Sequence, residues 1–189
     1  MKFLFGLILG LLILPLCAWI YFQVGHPPVA VADKPFPFER QIVREPLHAR
    51  IDAEMPKSAP IDASEANLAA GAQIYREQCA ACHGLSGHPS DFGSHMYPHA
   101  PQLWARHSHG DVVGVSDDPA GETEWKVANG IRLTGMPSFE KILNPTQIWQ
   151  VSLLLKQAAG PLPPGVVKIV QQPLDFSLPA EAPATVPSR

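Results

Sequence analysis

The chain lacks the charge to hold a nucleic acid. Charged residues are 16% of its 189 residues, the formal net charge is -3, and the pI lies near 6.2. The basic stripe that phosphate binding requires is therefore missing. Cysteine is nearly as scarce: Cys17, Cys79 and Cys82 are all there is. No second cysteine pair exists to complete a four-ligand zinc site. No internal repeat is visible, and residues 63–160 contain no useful run of alternating apolar and polar residues, so no strand is expected there. That also removes the βαβ surround in which a thioredoxin-like dithiol sits.

Proline, by contrast, is abundant, and its placement divides the chain. Of 21 prolines, seven fall in residues 24–62, seven in 161–189 and only six in 64–159. Proline removes a backbone donor and resists helix interiors, so the flanks read as extended or disordered arms. Four segments result: an apolar stretch over 1–22, a Pro-rich flexible linker over 23–62, a folded unit over 63–160 and a Pro-rich tail over 161–189.

The N-terminus indicates export. Phe3–Phe22 runs without a charge, and Trp19 and Tyr21 stand near its far end, where amphipathic rings favour the membrane interface. The run is long enough for a transmembrane helix across a hydrocarbon layer of roughly 30 Å. Lys2 on the short side favours a cytoplasmic N-terminus. A cleaved signal is the competing reading, because Ala30-Val31-Ala32 offers an A-x-A site. Either way, the bulk of the chain is expected outside the cytoplasm.

Three helices are expected in the folded unit. The first covers residues 63–81, with Asp62 and Glu65 at capping-box spacing and Leu68, Ala72, Tyr75, Cys79 and Cys82 on one face. The second covers 119–129 and stops at Asn129-Gly130. The third covers 145–159, where Asn144 caps, Pro145 takes the first helical position and Gln147 reaches back. Between the first two lies a stretch over 84–118 rich in Gly, Pro, Ser and His. Loops of that length in a compact domain are normally functional. So few helices make a poor core unless something that is not protein sits at the centre.

The stretch Tyr75–Gly84, YREQCAACHG, supplies a candidate. Covalent haem needs two thiols to add across two vinyl groups and an imidazole from the same short helical stretch. Cys79, Cys82 and His83 meet that need, and C-x-x-C-H is the attachment signature. Zinc remains conceivable through His88, His95, His99, His107 and His109, though no cysteines fix a geometry. A sixth ligand is expected downstream, and Met136 in NGIRLTGMPSF stands out, followed by Pro137, which holds the chain extended. A thioether is a soft neutral ligand that favours ferrous iron and raises the reduction potential.

With those motifs in place, residues 67–159 resemble class I c-type cytochromes. The resemblance implies an all-α fold, three to five helices around one covalent haem c, here behind an N-terminal transmembrane helix. By the same resemblance His83 is the proximal iron ligand and Met136 the distal one, and the first and last helices cross near Gly71, Tyr75 and Trp149. Pro101 and Leu103 then belong to the loop beside the proximal histidine. The loop 86–100 departs from the family's compact glycine-rich pattern, which leaves His95, His99, His107 or His109 as alternative sixth ligands. Arg106 and Arg132 read equally as partners of haem propionates or as ordinary surface arginines, and Trp104 and Trp125 either as indole donors to the same carboxylates or as lining of the haem pocket.

An iron with two axial ligands has no open site, so the expected role is electron transfer rather than enzymic catalysis. The leading expectation is a single-pass cytochrome of the inner membrane, its haem domain on the periplasmic side, exchanging single electrons with redox protein partners in membrane complexes. The alternatives are a cytochrome subunit of a membrane dehydrogenase, reductase or oxidase, and a haem peroxidase or gas sensor with a labile distal ligand.

Overall fold

The structure, a computed structural model, describes residues 2–108 and 110–174. Among the described residues every regular element is a helix and no strand forms, only isolated bridges at Leu85–His88 and Arg106–Val113. Two compact units divide the chain, one ending at Glu45 and the other beginning at Pro46.

The first unit holds α1 (Lys2–Val24), which contains Pro15 and buries none of its residues. Its 23 residues extend about 35 Å at 1.5 Å per residue, long and apolar enough to cross a membrane. After it, Asp33 accepts from the amides of Val29 and Ala30 at 2.8 Å each. Those bonds hold its carboxyl below the usual carboxylate range.

One expectation is corrected by α2 (Glu39–Glu54), which lies inside the stretch read as an extended Pro-rich arm. Its proline, Pro46, costs the helix one hydrogen bond but does not end it, and it coincides with the boundary between units. The rest of its sequence, ERQIVREPLHARIDAE, is rich in good helix formers.

The second unit is built on α3 (Glu65–Gln78), α6 (Ala120–Asn129) and α7 (Pro145–Lys156). Short helices α4 (Ala80–His83) and α5 (Asp91–Ser94) follow α3. Helix α3 starts at Ser64 and not through an Asp62–Glu65 box: the Asp62 carboxylate instead accepts from the Asn67 side-chain amide at 3.0 Å. Helix α7 has the full capping box, Asn144 and Gln147 each bonded to the other's backbone. It crosses α3 where Gly71 meets the Gln150 backbone, and a Cβ at Gly71 would overlap that carbonyl. Tyr75, Val151 and Leu154 have no exposed surface at the centre of this packing.

In the tail, α8 (Pro164–Gln171) packs on α3 through Val166 and Val170, both buried. The Arg76 guanidinium donates to the carbonyls of Gln172 and Pro173, and the Ser86 amide donates to Val170 O at 3.0 Å. The tail is thus docked as far as Leu174, and the remaining residues, 175–189, lie outside the described ones.

Candidate haem-binding site

The backbone turns tightly at the end of α3. The Cys79 amide bonds Tyr75 O, and Cys79 O receives the amides of Cys82 and His83 at 3.1 and 2.9 Å. One helical turn therefore carries both thiols and the imidazole. The buried Tyr75 hydroxyl donates to Gly84 O at 2.7 Å, with His83 O at 3.3 Å. Burial pushes its phenol well above the ordinary tyrosine range, which keeps that donor in place.

Pro101 and Leu103 lie beside His83, where the resemblance puts them. His83 Nδ1 sits 2.8 Å from Pro101 O, and the Leu103 amide donates to His83 O at 3.2 Å. A carbonyl only accepts, so Nδ1 carries the proton and Nε2 is left as the ring's acceptor. Burial holds the His83 pKa below its ordinary value, against the smaller opposing effect of the Pro101 bond. The ring is therefore neutral at neutral pH. Burial, with a smaller contribution from Cys82, pushes the Cys79 thiol up to about 12.

The long loop is tied to this turn. The Ser90 hydroxyl donates to Ala81 O, Gln102 Oε1 accepts from the Ser90 amide at 2.6 Å, and a Cβ at Gly93 would overlap Cys82 O. On the other side, the Met136 loop is closed by Thr134, whose hydroxyl donates to Ile131 O and accepts from the Met136 amide. Gly130, at φ +69°, lies so close to the Pro137–Ser138 backbone that no side chain fits there.

Cys79, Cys82, His83 and Met136 all line one cleft of about 260 Å³, whose other walls include Leu103, Val127, Phe139, Val151 and Leu155. Of the alternative ligands, His99 lines the same cleft. His95 is exposed and bonded to Asp91 O at 2.9 Å, and His107 is exposed away from it. His109 lies outside the described residues. Among the described residues no three His, Cys, Asp or Glu side chains gather as a metal site.

Two of the propionate candidates have other partners. The Trp125 indole N–H is committed to Glu54 Oε2 at 3.0 Å, and Arg106 pairs with Asp111 at 2.7 Å. Trp104 stands edge-on to Tyr75 and does not line the cleft. Among the cleft residues that the sequence did not single out are Leu47, His48 and Met96. The first two lie in the Pro-rich arm, and no local pattern marks them. Met96 had a signal, since it sits in the long loop, and its thioether lies against Gly135 beside Met136.

The residues fit a covalent haem. Two thiols and a neutral imidazole with a free acceptor nitrogen share one turn, a thioether faces the same space, and the walls are largely apolar. This fold and site define a cytochrome c domain. Residues 66–153, a little under half of the chain, match the family model described as cytochrome c oxidase, cbb3-type, subunit III. Over those residues the chain is similar to that family's cytochrome c domain, and a long apolar helix stands at its N-terminus. The family implies covalently bound haem c and electron transfer. No curated protein and no solved structure matched the chain.

Proposed function

We propose that the protein is a membrane-tethered, monohaem electron carrier whose iron is held by His83 and Met136. The observation that carries this reading is the meeting of Cys79, Cys82, His83 and Met136 on the wall of one apolar cleft. Haem c, when bound, supplies a ferric/ferrous couple for single electrons.

This chain's residues would do the rest. Cys79 and Cys82 would hold the group as thioethers, each thiol adding its S–H across one vinyl group with nothing oxidised or reduced. His83 presents Nε2 while Pro101 O holds the Nδ1 proton. Met136 would offer the iron a neutral sulfur ligand, which favours the reduced state. Val127, Phe139, Val151 and Leu155 keep water from the cleft. Helix α1 would anchor the domain on the periplasmic face of the inner membrane, which raises the effective concentration of redox partners there.

The test is a pair of visible spectra, oxidised and reduced, on the purified full chain. A reduced spectrum of c-type haem that survives acid-acetone extraction is expected, with the long-wavelength ferric band of thioether ligation. Rapid carbon monoxide binding without that band would overturn the closed-site reading.

The family match favours a second reading, a cytochrome subunit of a cbb3-type oxidase. Retention of oxidase subunits during purification in mild detergent would select it over a free carrier.

A further inference from the structure

We infer that the C-terminal part of the linker helix α2, residues 46–54, is a wall of the haem cleft, so that the linker governs access to the haem and its potential. This rests on the haem reading above. Leu47, Ile51 and Glu54 recur at i, i+4 and i+7, one face of the helix: Leu47 lines the cleft, Ile51 is buried and Glu54 is bonded to Trp125.

Ile51 is 1% exposed, as buried as the innermost core residues. The Glu54 carboxylate accepts from Trp125 Nε1 at 3.0 Å and from Arg50 Nε at 3.0 Å. Just beyond the helix, the Pro56 carbonyl lies so close to Gly121 that a Cβ there would overlap it. These contacts fix the helix end to α6. One turn and less before Ile51, Leu47 and His48 line the same cleft as Cys79, Cys82, His83 and Met136.

The physical consequence follows from burial. A cleft wall of apolar side chain excludes water from the cofactor's edge, and solvent exposure is one of the factors that sets a haem potential. Opening this wall admits water, favours the more highly charged oxidised state and lowers the potential. It also lets external ligands in faster. Leu47 and His48 are positioning residues here: they shape the cleft and are not assigned to the iron.

The test uses the haem-loaded full chain in detergent micelles, with imidazole as the probe ligand. Trp125→Phe and Ile51→Ala loosen the helix, whereas Leu47→Ser opens the wall and leaves the Ile51 and Glu54 contacts. The three readouts are amide hydrogen exchange over residues 47–54, the rate of imidazole binding to the ferric protein, and the midpoint potential. Loosening is expected to speed exchange and imidazole binding several-fold and to lower the potential. Leu47→Ser is expected to change the last two with little change in exchange.

Faster exchange with unchanged binding rate and potential in all three variants overturns the inference, because the helix is then docked but no wall. Unchanged exchange in both Trp125→Phe and Ile51→Ala also overturns it, because these contacts then do not hold the helix. Purification of the unaltered chain without Soret absorption overturns the haem reading itself. That outcome is visible before any variant is made.

Discussion

His83 Nδ1 lies 2.8 Å from the carbonyl oxygen of Pro101, across a loop of 18 residues. That bond sets the tautomer and leaves Nε2 as the ring's acceptor, the nitrogen proposed to bind iron. Replacing His83 by Ala should leave haem on the two cysteines but abolish the low-spin spectrum. Imidazole added in solution should restore it. An unchanged spectrum in His83→Ala would remove His83 from the iron.

Met136→Leu keeps the apolar volume of the Met136 side chain and removes its sulfur. The potential should fall by on the order of 0.1 V, a fraction of the roughly 0.8 V that axial ligation spans, and carbon monoxide should bind readily to the ferrous form. If both stay as in the parent, the next residues to replace are Met96 and His99, which share the cleft.

Tyr75 ties the haem-binding turn to the core through its 2.7 Å bond to Gly84 O. Tyr75→Phe should cost about 1–2 kcal/mol, the loss of one buried hydrogen bond and the stranding of its acceptor. Chemical denaturation of the haem-loaded protein measures it, and a loss within error would mean that the hydroxyl contributes little.

Gly71 sits where α3 meets the backbone of α7. Because the obstruction is backbone and not a flexible side chain, Gly71→Ala should lose about 1–3 kcal/mol as the helices are forced apart. A thermal melt of equal midpoint would show that the crossing can yield.

Asp118 provides a pH test away from the ligands. Burial raises its pKa above 3.8, the nearby Glu122 carboxylate adds to this, and Lys126 at 3.7 Å only partly offsets it. The folded state therefore holds this proton more tightly than the unfolded one, and stability falls as pH rises from 3.8 through the folded value. Asp118→Asn should raise stability at neutral pH, by no more than about 1 kcal/mol given the solvent exposure of the pair. The gain should vanish below pH 3.8. A gain that persists there would assign the effect to something other than charge.

What the sequence determined by itself was local. The CxxCH turn, the Asn144–Gln147 capping box and the apolar N-terminal run each depend on residues within a few positions of one another. Short-range spacing is enough to state their geometry. Sequence could also nominate Met136, because its loop carries its own pattern.

Only the tertiary structure decided which distant segments share the cleft. Proline content averaged over residues 23–62 hid α2, whose helix tolerates Pro46 and whose end is held by Ile51 and by the Glu54–Trp125 bond. Likewise, α8 docks on α3 through Val166 and Val170 and through Arg76, nearly a hundred residues earlier in the chain. Trp125 and Arg106, candidate propionate partners by residue type alone, are bonded to Glu54 and Asp111. Such pairings join segments far apart in the chain, where burial and partner geometry, not local spacing, set the outcome.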